Sequence, residues 1–134
     1  MLRKTFSQET QEIKNDILLL SSMVEEAVMD SVRALKDNDL NRSHQVLRND
    51  RNINRKRFEN EISIIVVMAT QQPAARDLRM LAASLEICTE LERMGDYAKE
   101  IANINIRSEG LSLPFLLRIF IPWPRRLWTC CIAP

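Results

Sequence analysis

Glycine is nearly missing from this sequence. Of 134 residues only Gly95 and Gly110 lack a side chain. Left-handed turns are most easily made by glycine, so a fold with many hairpins is disfavoured. Aromatic residues make up 5%, against 46% apolar residues in all, so any core must be built from Leu, Ile, Val, Met and Ala. A charge of one sign is also lacking. The net charge is +1 with 28% charged residues, a mixed surface without the basic bias of a nucleic-acid binder.

Cysteine supplies no framework either. Cys88, Cys130 and Cys131 are odd in number and two are adjacent, which fits neither a disulfide scaffold nor zinc-ligand spacing. A reducing, cytoplasmic setting is the expectation. Met1 to Asn15 is charged throughout and has no apolar stretch of a secretory leader. No uninterrupted apolar run is long enough for a membrane span. The greasy segment Phe115 to Pro134 contains Arg118, Arg125, Arg126 and three prolines, so direct membrane insertion is not expected.

Three long helical stretches are present instead. The first runs from about Lys4 to Lys36. Ile13, Ile17, Leu20, Val24, Ala27, Ser31 and Ala34 recur at alternating spacings of four and three, a stripe with coiled-coil-like packing. Asp37-Asn38-Asp39 offers a turn and an N-cap for the next helix. The second stretch runs from about Leu40 to Ala69, with a stripe of Leu47, Asp50, Asn54, Phe58, Glu61, Ile65 and Met68. Its β-branched part, Ile62 to Ala69, has no turn before it and no pairing partner after it, so it is read as helix.

Pro73 disfavours helix at Gln72 and suits the first turn of a third helix, from about Ala74 to Arg107. There Leu78, Leu81, Leu85, Cys88, Glu92 and Asp96 share one face, widened by Leu91, Met94, Ala98 and Ile101. Gly95 inside a helix costs about 1 kcal/mol relative to Ala, and its expected benefit is a close backbone approach or access to a neighbouring site. Short connections make consecutive helices antiparallel neighbours. The expected fold is therefore all-α, an elongated antiparallel three-helix bundle, with no internal repeat inside it. It occupies residues 1–110, followed by an irregular tail over 111–134.

Glu92 and Asp96 are four residues apart on one helical face, so their carboxylates can converge on one cation. Asp50 and Asn54 have the same spacing on the second helix. Each pair lies about 20 residues from the turn between the two helices, and so at one height of the bundle. Facing oxygen-rich pairs on adjacent helices are how bundles build carboxylate metal sites. The plainer alternative is a solvated acidic face, with Arg51, Arg55 and Arg93 as surface partners worth about 0–1 kcal/mol each. Catalysis has little to work with. There is no glycine-rich phosphate loop and no nucleophile–base pair. The single histidine, His44, reads as a surface residue, and Cys88 on the apolar stripe reads as a small hydrophobe. A ferritin-like carboxylate metalloenzyme would need four helices and a Glu-x-x-His arrangement, but Asn41 stands three before His44. A metal-free structural bundle stays open beside it. The chain is not expected to be an enzyme.

The run Ala69 to Arg79 (ATQQPAARDLR), followed by Leu91 to Ala98 (LERMGDYA), resembles the signature of the PhoU family of phosphate-uptake regulators. Asn49 to Asn54 resembles the family's second-helix element, and Met1 to Asp39 fits its first helix. The resemblance covers about Met1 to Arg107, one of the family's two three-helix repeats. It implies a cytoplasmic regulator of high-affinity phosphate uptake and of the phosphate-starvation response. The implied partners are the ATPase subunit of the phosphate ABC transporter and the phosphate-sensing histidine kinase, with a homodimer as the expected assembly. The acidic motif implies a bound metal ion, namely iron, zinc, magnesium or manganese. Glu92 and Asp96 would be ligands, with Asp50 a third and Asn54, a neutral amide, a weaker fourth.

After Pro114 the sequence departs from that pattern. Phe115 to Pro134 gains Trp123, Trp128 and two cysteines and loses its alternation of charge. Read two bases out of frame, Trp123-Pro124 forces an alanine codon and Trp128-Thr129 an aspartate codon. With permitted choices elsewhere the segment becomes an amphipathic helix like the start of a second repeat. The tail is therefore read as a frame-shifted continuation and the chain as truncated.

Overall fold

A computed structural model describes residues 2–108, with side chains from Phe6 onward. Readings of the tail, its frame and its cysteines lie outside the described residues. Within them the chain forms three helices: α1 (Leu2–Asp37), α2 (Leu40–Gln71) and α3 (Ala75–Arg107). They contain 36, 32 and 33 residues, so each is about 50 Å long. All three pairs of helices pack against one another. The all-α, antiparallel three-helix bundle is as expected, and no strand occurs among the described residues.

The turns explain the helix ends. Asn38 takes φ 53°, a left-handed conformation that asparagine tolerates well. This lets the Asp39 amide donate to the Ala34 carbonyl at 2.9 Å, which closes α1. Asp39 then caps α2: its Oδ1 accepts from the Arg42 amide at 3.0 Å. At the other end Gln72 takes φ 42° and terminates α2. Pro73 follows, and α3 starts from Ala74, which offers no side-chain cap.

The core is aliphatic and narrow. On α1, Ile13, Leu20, Val24, Ala27, Ser31 and Ala34 are buried and Ile17 is partly so, the stripe expected from spacing. On α3, Leu81, Cys88, Ala98 and Ala102 are buried, while Leu78 and Met94 are exposed. Gly95 is buried against α2. A Cβ there would lie 3.4 Å from Ile53 Cγ2, at the tight edge of ordinary contact, so the close approach expected of this glycine is present.

On α2 the expected stripe needs correction. The buried residues are Ser43, Val46, Asp50, Ile53, Asn60, Ile64 and Val67. Apart from Asp50, the face lies one residue earlier than Leu47, Asn54, Glu61, Ile65 and Met68. Phe58 and Ile65 are 57% and 55% exposed. The physical reason is that α2 carries apolar residues on both flanks between Ile62 and Met68, so periodicity alone does not choose between them. Close packing favours the shorter or β-branched set, Val46, Ile53, Ile64 and Val67, at the centre. Leu47 and Met68 cover its edge.

Candidate metal centre

The acidic residues are carried on facing flanks of α2 and α3. Asp50 is in the core-facing row of α2, and its side chain is only 8% exposed. Asp96 and Glu92, one turn apart on α3, are half-buried. Asp50 and the Asp96 region do share a height: the residue that bridges them is Lys99, one turn beyond Asp96 on the same flank. Its Nζ lies 2.8 Å from Asp50 Oδ2 and 4.0 Å from Asp96 Oδ1. The Asn54 amide nitrogen donates to the same Asp50 oxygen at 3.3 Å. Asp50, Asn54 and Asp96 are thus brought together, around an ammonium. No hydrogen bond or ion pair joins Glu92 to them among the described residues.

The hydrogen bond to Asp50 lifts the Lys99 pKa above the usual lysine value. Partial burial works against this, and the charges of Asp50, Asp96 and Glu100 add to it. A nearly buried carboxylate left without a partner would be costly, so the pair satisfies a requirement of the fold. Two of the three nearby arginines, Arg55 and Arg93, are engaged elsewhere. Arg55 donates to Asn52 at 2.9 Å and Arg93 to Glu90 at 2.8 Å, both on the exposed surface.

As arranged, these residues do not fit a metal ion. The position shared by Asp50 and Asp96 is filled by a cation of the chain itself. Asn54 presents a donor to Asp50 rather than an oxygen to a metal. Among the described residues no three His, Cys, Asp or Glu side chains gather closely enough to hold one. His44 is exposed and Cys88 is a buried free thiol.

Three further polar features escaped the reading from sequence. Lys99 was available to it, since its spacing from Asp96 places both on one flank. Asn105, 1% exposed, donates to the Ala34 carbonyl at 3.0 Å and to Ser43 Oγ at 2.8 Å. This ties the C-terminal end of α3 to the α1–α2 turn. Asn60, also 1% exposed, lies beside the Cys88 thiol, with Arg57 and Glu61 close by. Neither amide atom of Asn60 has a partner of hydrogen-bonding geometry, so any contact with the sulfur is too loose to satisfy it. Polar residues at core positions carry no signal in sequence that separates them from surface ones.

The signature run Ala69 to Arg79 makes the α2–α3 turn. Thr70 to Ala74, with Phe6 and Asp77, line a hollow of about 420 Å³ there. No described helix is long and apolar enough to cross a membrane.

Comparison with known proteins gives a consistent answer. The PhoU domain matches residues 17–104. A phosphate-specific transport system accessory protein PhoU homolog from Clostridium acetobutylicum is 35% identical over 111 residues, 82% of this chain and 51% of the relative. The Pseudomonas aeruginosa homolog is 32% identical over 113 residues, 83% of this chain and 47% of the relative. The accessory protein PhoU of Escherichia coli is 29% identical over 96 residues, covering 72% and 40%. The chain spans about half the length of the curated relatives it matches. No solved structure gives a significant match. The matched region takes in the signature turn, all of α2 and most of α1 and α3, and the chain belongs to the PhoU domain family.

Proposed function

We propose that this chain is one three-helix unit of a regulator of high-affinity phosphate uptake. It acts by protein–protein contact rather than by catalysis. Its partners are the ATPase subunit of the phosphate ABC transporter and the phosphate-sensing histidine kinase. It works in the cytoplasm as a homodimer, limiting uptake and repressing the starvation response when phosphate is plentiful. The observation that carries this reading is the PhoU domain match over residues 17–104, with relatives named as accessory proteins of phosphate-specific transport.

A second observation supports action by contact. Large apolar side chains face outward on every helix, including Leu18 and Met29 on α1, Phe58 and Ile62 on α2, and Ile87 and Tyr97 on α3. On α2, Phe58, Ile62 and Ile65 recur at helical spacing and form one exposed apolar stripe, the kind of surface that meets other proteins. The test is co-purification of the tagged chain with the transporter ATPase and with the sensor kinase from phosphate-replete cells. Association is expected for the chain joined to a second three-helix unit, and weakening is expected on Phe58→Glu. Absence of both partners from that longer form would refute the reading.

A further inference from the structure

We propose that Lys99 is the resident cation of the acidic face of α2 and α3, a tethered ammonium that sits between Asp50 and Asp96 and keeps divalent ions out. Three observations carry this. The Asp50 carboxylate is nearly buried and must be neutralised where it lies. Its Oδ2 already receives both the Lys99 ammonium at 2.8 Å and the Asn54 amide at 3.3 Å. Asp96 Oδ1, at 4.0 Å, shares the same ammonium. A metal ion entering here would meet a like charge a few ångströms away. It would gain only two carboxylates, which is a thin ligand set for a hard cation. The lysine is attached to α3 and is present at every metal concentration, so a dissolved ion must displace it.

The acidic pattern that resembles a ligand set is then an ion-pair lock between α2 and α3. Lys99 is the residue that decides whether this acidic face binds metal. Removing the ammonium while keeping the carboxylates should open the site. The experiment is a titration of the full chain, stripped with chelator, using Mn²⁺ alone and read by calorimetry. Mn²⁺ favours oxygen ligands, so the cysteines do not compete for it. The wild type is expected to show no uptake that depends on Asp50. Lys99→Met is expected to bind Mn²⁺ tighter than wild type by about tenfold or more, with the gain lost in Lys99→Met combined with Asp50→Asn. The idea fails if the wild type takes up Mn²⁺ and Asp50→Asn abolishes it. It fails equally if Lys99→Met gains nothing, or gains binding that survives Asp50→Asn.

Lys99→Gln repeats the test where the methionine variant does not fold. A measurement on the wild type alone decides it without any variant. Amine acetylation, followed peptide by peptide in a mass spectrometer, should be slower at Lys99 than at the exposed Lys14 and Lys36, and Mn²⁺ should not change the ratio. Faster labelling of Lys99 in Mn²⁺ would mean the metal evicts it, and the proposal would be wrong.

Discussion

Asn105 and Asn60 are both about 1% exposed, yet the bundle treats them in opposite ways. Near the α1–α2 turn, Asn105 of α3 reaches the Ala34 carbonyl and the Ser43 hydroxyl, and Ser43 in turn donates to the Asp39 carbonyl at 3.2 Å. That network crosses all three helices and is anchored on the groups that end α1 and begin α2. In the layer of Cys88, the Asn60 amide has neither donor nor acceptor partner. A nearby Arg57–Glu61 pair at 2.6 Å keeps its charges on each other, and Arg57 Nε is unpartnered too. The contrast teaches that burial of an amide is neither stabilising nor destabilising in itself. Its sign depends on whether the local geometry closes the hydrogen bonds.

The largest effect should come from opening the closed network. Asn105→Ala removes the amide and leaves the Ser43 hydroxyl without its donor, with a small void beside Ala34 and Ala102. A loss of about 2–3 kcal/mol is expected in urea unfolding. Ser43→Ala should cost less, and the double variant less than the sum of the two, because they share one network. Simple additivity would show that the two side chains act apart.

The second effect has the opposite sign. Leucine has the same number of side-chain heavy atoms as asparagine and asks for no hydrogen bonds. Asn60→Leu should therefore raise the urea midpoint by about 1 kcal/mol of stability. A loss of stability instead would mean that the amide is satisfied in solution, and the two asparagines would no longer differ in kind.

The legibility of these features from sequence follows their physics. The α1 face could be read because no charged residue interrupts its stripe at spacings of four and three: Leu20, Val24 and Ala34 lie inside and Lys14, Glu25 and Arg33 outside, even though Leu18 and Met29 are outside as well. The Asp39 cap could be read because a short acid before a helix has one obvious use. The α2 face was misplaced by one residue because Ile62, Ile64, Ile65, Val66 and Val67 supply apolar groups in every direction. At the acidic face, counting from the α2–α3 turn correctly placed Asp50 near the height of Asp96. A ligand pattern is made of oxygen atoms, and Lys99, one turn along from Asp96, is a donor that such a pattern leaves out. Asn60 and Asn105 could not be read at all, since their burial is imposed by neighbours on other helices.

The smallest effect concerns Cys88, and it tests the open layer from the side of its thiol. Burial raises the Cys88 pKa above its ordinary 9.0, and the charge of Glu61 adds to this, while Asn60 and Arg57 pull it down. The folded thiol therefore keeps its proton to higher pH than the thiol of the unfolded chain. As pH rises through about 9.0 the unfolded state loses a proton that the folded state retains. Stability must then fall until the folded thiol also ionises. The loss is read as the difference in pH slope between wild type and Cys88→Ala. Lysine and tyrosine titrations, and those of the other two cysteines, are common to both and cancel. In Asn60→Leu the amide that lowers the thiol pKa is gone, so the same fall should extend to higher pH. An identical slope in all three proteins would mean the thiol does not feel the layer, and Asn60 would then be idle rather than frustrated.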